Sequence, residues 1–120
     1  MTQSFNELYL HELELLASAE QQMMDLLPKL SARTDTPELQ RAFEQQPNGC
    51  TEQRLTVLEL VRATGSKAQI PLGTGMKALI EECSVLLKEF PTGNLRDAVM
   101  IAHMQRAEHY KMAAYTTVRD

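Results

Sequence analysis

The chain has 120 residues, a formal charge of -4 and a sequence pI near 5.4, so it has room for a single domain, residues 1–120, with a modest core. Its Lys and Arg residues are scattered rather than striped, which argues against nucleic acid or an anionic membrane as a partner. No stretch approaches about eighteen uncharged apolar residues, and the opening Met1-Thr2-Gln3-Ser4-Phe5-Asn6-Glu7 has no basic region followed by an apolar one, so neither a spanning helix nor a secretory signal is expected. Cys50 and Cys83 are too few for a disulfide framework and lack metal-ligand spacing, and free thiols in a cytoplasmic setting are expected.

Residues 4 to 30 read as the first helix. Ser4 can cap it, with Glu7 placed to complete a capping box. Leu13, Leu16, Ala17, Glu20, Met23, Met24, Leu27 and Leu30 then recur at helical spacing. Glu20 stands in that stripe where leucine would be expected: either it snorkels at the edge, or it is a buried carboxylate with a partner or ligand. Asp35-Thr36-Pro37-Glu38 announces a second helix, with Asp35 or Thr36 as cap and proline in the first turn. Gln46-Pro47-Asn48-Gly49 interrupts it, so the stretch from Thr36 to Thr64 is one kinked helix or two short ones. The reading adopted is a distorted but continuous path.

Residues 65 to 73 connect to a third helix, from about Thr74 to Phe90, which turns Met76, Leu79, Ile80, Cys83, Leu86, Leu87 and Phe90 inward. Nine connecting residues reach about 30 Å at most, enough to run most of the way along a bundle. Pro91 and Gly93 close the third helix, and Asn94 with Asp97 can cap a fourth from Leu95 to Val118. Two faces on that helix attract attention. Leu95, Ala98, Val99, Ala102, Gln105, His109, Ala113 and Thr116 share one; Ile101, Met104, Glu108, Met112 and Tyr115 share another, about 100° round. Four such helices with short first and last connections predict two antiparallel hairpins in an all-α four-helix bundle.

Several runs carry a family resemblance. Leu16-Ala17-Ser18-Ala19-Glu20-Gln21-Gln22, Leu27-Pro28-Lys29-Leu30 and Pro37-Glu38-Leu39-Gln40-Arg41-Ala42-Phe43 resemble the first half of the YciE/YciF-like proteins, a ferritin-like family. Gly75-Met76-Lys77-Ala78-Leu79-Ile80-Glu81-Glu82, Leu95-Arg96-Asp97-Ala98 and the run from Gln105 to Tyr115 resemble the second half. The resemblance implies a ferritin-like antiparallel four-helix bundle in which carboxylates from facing helices can hold two irons or manganeses. It places Glu20, Glu82 and Glu108 at acidic positions of that site. It also puts Gln46 where the family has histidine, and Gly49 and Lys111 where it has glutamates, while His109 lies about 100° from Glu108 around the helix.

The substitutions leave three readings. Lys111 can place its ammonium among Glu108, Glu20 and Glu82 and turn a ligand cluster into a buried ion network. The same residues can make interhelical salt bridges at the solvent edge. Or Glu20, Glu82, Glu108 and His109 can hold iron or manganese weakly, with Lys111 swung out. The reading adopted is a degenerate ferritin-like scaffold with no resident cofactor, not an enzyme, acting through self-association or protein contacts. Two-sided apolar helices and an end just after the last turn predict a homodimer. The alternative is a mononuclear or dinuclear iron- or manganese-binding protein or oxidoreductase. His11 and His103 read as surface or packing residues, and Cys50 has no base near it in sequence.

Overall fold

The structure is a computed structural model that describes residues 4–65 and 70–119. Its elements are α1 (Phe5–Arg33), α2 (Pro37–Ala63), α3 (Thr74–Glu89) and α4 (Gly93–Arg119), and the described residues hold no strand. Ser4 caps α1 as expected: its Oγ accepts the Glu7 backbone N–H at 3.2 Å. The helix continues past Leu30 to Arg33 with Pro28 inside it. The proline removes only one late backbone donor. Beyond it Leu30 and Ser31 are buried, and the Ser31 hydroxyl donates to Glu44 of α2 at 3.1 Å, so tertiary contacts carry the last turn.

The second helix takes the continuous path through Pro47. Phe43 and Cys50 lie on either side of the proline and are both buried, so the helix is held against the core across the weak turn. Thr36 occupies the cap position of α2 but does not cap with its side chain. Its hydroxyl donates instead to Asp97 of α4 at 2.6 Å, beside Thr34, which donates to the other Asp97 oxygen at 2.7 Å. Asp97 is thus a clamp between the α1–α2 turn and α4, not the cap of α4. That helix starts earlier than expected, at Gly93, whose φ of +72° lets the chain turn out of Phe90-Pro91-Thr92.

Side-chain pairs set the directions. Ser31 meets Glu44 and Thr51 meets Met24, so α2 runs antiparallel to α1. Thr34 meets Asp97 and Glu20 meets Tyr115, so α4 is also antiparallel to α1. The Gly73 N–H donates to Ser18 Oγ at 2.8 Å, and α3 sets out from there parallel to α1. The end of α2 and the start of α3 therefore lie towards the same end of the bundle. Helix α1 packs against each of the other three, while α3, the shortest, leaves the lower end to α1, α2 and α4. The core divides accordingly. Met23, Leu27, Phe43, Met76, Leu87 and Met100 fill the four-helix end, and Leu13, Leu16, Val57 and Val61 fill the lower end.

The register of α4 differs from either expected face. Its buried residues are Arg96, Met100, His103, Met104, Ala107 and Lys111, whereas Leu95 and Met112 are 64% and 60% exposed. The physical reason is that three polar residues of the inward stripe find partners on other elements. Arg96 reaches Asp35 of the α1–α2 turn as well as its own neighbour Asp97, His103 packs beside α3, and Lys111 meets Glu20. Apolar periodicity cannot register a stripe of that composition.

The Asp97 clamp yields a direct test. Hydrogen bonds from Thr36 hold the Asp97 carboxyl below its ordinary value of 3.8 against the effect of burial, helped by Thr34 and Arg96. Its contribution is present above that ordinary value and lost as pH falls through the lower folded one. Asp97→Ala should cost about 2 kcal/mol in urea unfolding at neutral pH, because it leaves the buried Thr34 hydroxyl without its acceptor. The difference from wild type should shrink on acidification below 3.8.

Candidate functional site

Glu20 lies midway along α1 and is completely buried among Leu16, Ala17, Ala19 and Met23. A carboxylate there is tolerable only if its charge is met inside the protein. Two residues one turn apart on α4 meet it. Lys111 Nζ stands 2.7 Å from Glu20 Oε1, and Tyr115 donates its hydroxyl to Oε2 at 2.5 Å. Oε1 accepts no well-aligned hydrogen bond, so what compensates it is the Coulombic approach of the ammonium.

Lys111 is itself buried, with its side chain 6% exposed. Its ammonium has Glu108 Oε1 at 3.6 Å and Cys50 Sγ at 3.8 Å as further neighbours. Gln46, one turn before Cys50 on α2, donates its amide to Glu108 at 2.5 Å. The network thus runs from α1 through α4 to α2, with one cation between two carboxylates. Glu108 forms its outer lip, its side chain 39% exposed.

Protonation follows from this arrangement. Burial pulls the Lys111 pKa down, but the close approach and charge of Glu20, with Cys50 and Glu108, outweigh it and leave it above its ordinary value. Lys111 is therefore an ammonium at neutral pH. Burial pushes the Cys50 thiol up to about 11, and Glu20 and Glu108 add to this against the opposing Lys111. Burial and the Glu20 contact likewise raise Tyr115, which remains a phenol and a donor.

Of the residues singled out in the sequence, the structure brings together Glu20, Glu108, Lys111 and Gln46. Glu82 is exposed on α3, where its charge acts on His103 of α4. His109 is exposed as well, on the outer side of α4. Gly49 is exposed, and a Cβ built there would meet nothing within 4 Å. The α2 residue that faces the network is its neighbour Cys50. Cys50 and Tyr115 were the participants the sequence reading did not assign. Both follow from four-residue spacing: Cys50 from Gln46, and Tyr115 from Lys111. His103 is buried against α3; burial and Arg106 lower its pKa, opposed by Glu82.

This donor set does not fit two divalent ions. The space between the carboxylates is taken by an ammonium, Glu108 is turned to an amide donor, and the thiol beside them is protonated. Among the described residues, no group of three or more His, Cys, Asp or Glu side chains is placed to share an ion.

A family model described as "Domain of unknown function (DUF892)" matches residues 4–120. The chain belongs to this family. Protein YciF of Escherichia coli (strain K12) is 30% identical over 118 residues, covering 96% of this chain and 70% of that protein. The crystal structure of the E. coli stress protein YciF superposes with a TM-score of 0.85 at 28% identity, covering 98% of this chain and 74% of the other. The fold is therefore that of the YciE/YciF-like proteins in the ferritin-like superfamily.

The dependence of Glu20 on Lys111 can be measured. Lys111→Met should cost about 3–5 kcal/mol in urea unfolding at neutral pH, since it strands a buried charge. Adding Glu20→Gln should recover much of that loss, because the amide oxygen can still accept from Tyr115 and no charge remains to be met. A Lys111→Met cost under about 1 kcal/mol would mean that the pair is solvated instead.

Proposed function

We propose that this protein is a ferritin-like scaffold in which a lysine-centred ion network stands where the family resemblance puts a two-metal centre, and that it acts through self-association and protein contacts rather than as an enzyme. The observation that carries this reading is the Lys111 ammonium between Glu20 and Glu108. A fixed positive charge at that point repels a divalent ion and already neutralises Glu20. Free Cys50 and Cys83 fit a reducing, cytoplasmic setting, and no helix among the described residues is long and apolar enough to cross a membrane.

Support for self-association comes from the outward face of α4. Leu95, Ala98, Gln105 and Met112 recur along it at helical spacing and are all exposed, with Ile101 beside them at 45%. Apart from Gln105 the row is small or apolar, which suits close packing against another helix, and a second copy supplies the same row in a two-fold pair. The expected assembly is a homodimer. Light scattering at micromolar protein should give twice the chain mass, and Met112→Glu should shift it towards monomer; a strict monomer for the wild type contradicts the proposal.

A second reading rests on the exposure of Glu108, which leaves the network a lip open to solvent. If Lys111 swings out, Glu20 and Glu108 can take one iron or manganese, with Glu82 and His109 more remote on exposed surfaces. Metal analysis of protein expressed with iron or manganese separates the readings. The scaffold reading expects no stoichiometric metal in the wild type and only modestly raised affinity in Lys111→Glu, since Gln46 and Gly49 still supply neither imidazole nor carboxylate. One ion per chain favours the second reading, and two would overturn the first.

A further inference from the structure

We infer that Cys50 and Lys111 form an oxidative modification site, at which hydrogen peroxide joins the cysteine sulfur to the lysine nitrogen and staples α2 to α4. Three observations place the chemistry. The Nζ and Sγ atoms are 3.8 Å apart, and both side chains are buried. Glu20 stands 2.7 Å from the same nitrogen, where it can accept a proton. The part-exposed Glu108 beside Lys111 opens the network to solvent, and a groove of about 360 Å³ lined by Leu13 and Leu16 of α1, Val57 and Leu60 of α2 and Tyr115 of α4 reaches the phenol that bonds Glu20. Cys83 shares the burial, but the charge that acts on it is the Arg33 guanidinium.

The steps balance. The Cys50 thiolate attacks one peroxide oxygen and the O–O bond breaks; the departing hydroxide takes up the thiol proton as water and leaves a sulfenic acid. Lys111 then passes one proton to Glu20, and its free lone pair attacks the sulfur. The S–O bond breaks, and the leaving hydroxide takes a second amine proton as water. The product is a sulfenamide, one N–S bond in which sulfur has lost two electrons and the peroxide has become two waters. The sulfenamide sulfur can attack a second peroxide, breaking its O–O bond, which leaves a sulfinamide with the N–S bond intact and releases a third water. Glu20 ends neutral as Lys111 loses its charge, so no unpaired charge remains in the core.

The bond adds a constraint the fold lacks. Among the described residues no Cα of α2 lies within 8 Å of one in α4, and the two helices meet only through side chains. Because the thiol is held near 11, the reaction is slow at neutral pH and should quicken about tenfold per pH unit as the thiolate population grows. The groups that set this rate are Lys111, Glu108 and Tyr115 from α4, Glu20 from α1, and the neutral Gln46 on the cysteine's own helix. The inference does not depend on how the scaffold is used.

The test is peptide mapping of the full chain after treatment with hydrogen peroxide. The expected result is an intact mass lower by two hydrogens, or changed by one oxygen less two hydrogens. A linked pair of peptides should contain Cys50 and Lys111, with trypsin no longer cutting after Lys111, and dithiothreitol should reverse the form lower by two hydrogens. Cys83→Ser should retain the link, while Cys50→Ser and Lys111→Arg lose it; the wild-type map decides the matter even if a variant folds poorly. Cys50 recovered as a free thiol, a sulfinic or sulfonic acid, or a disulfide with Cys83, with Lys111 still cleavable, overturns the inference.

Discussion

The ion pair between Glu20 and Lys111 is the constraint on which the rest of this bundle depends. A carboxylate with no solvent exposure has few ways to exist in a protein, and here the way is a cation delivered from another helix at 2.7 Å. Tyr115 satisfies the second carboxylate oxygen from one turn further along the same helix. Together they fix both the rotation of α4 and its height against α1. Apolar packing alone would allow that helix to turn, since Leu95, Ile101 and Met112 offer it a comparably apolar alternative face. The buried polar contacts select one register among several that hydrophobicity would accept.

From that register the other polar contacts follow. With Lys111 inward, Arg96 and His103 come to the same stripe, and Asp97 meets the two threonines of the α1–α2 turn. With Glu20 neutralised, the outer carboxylate Glu108 is left to an amide from α2. That contact and the Cys50 thiol tie in the helix that Pro47 would otherwise weaken. The ferritin-like frame supplies facing helices, while the charge at one position decides whether the space between them suits a metal ion or an ammonium.

Much of the frame was legible in the sequence. The four helices, the Ser4 cap and the turn at Gly93 follow from local chemistry that the structure keeps; the continuous path through Pro47 runs against the local breaker and matches only the helix length expected of a bundle. The family was legible too, because its motifs run nearly the whole chain. The inward face of α4 was not, since its Arg, His and Lys are buried only by virtue of partners distant in sequence. For the same reason Asp97 looked like a cap until the Thr34 and Thr36 hydroxyls were seen beside it. In the site, the pairing of Lys111 with Glu108 could be anticipated from spacing, and Glu20 beside them only from the family resemblance. The outward turn of Glu82 and the inward turn of Cys50 in place of Gly49 depend on helix rotation, which a single sequence leaves open.

The most direct test is nitrogen-15 NMR of the Lys111 side chain while manganese(II) is added. A buried ammonium held by Glu20 should show a slowly exchanging Nζ signal that stays protonated past the ordinary lysine value of 10.5 and is not broadened by stoichiometric metal. A signal that titrates at or below that value, or disappears with one equivalent of manganese, would contradict the account.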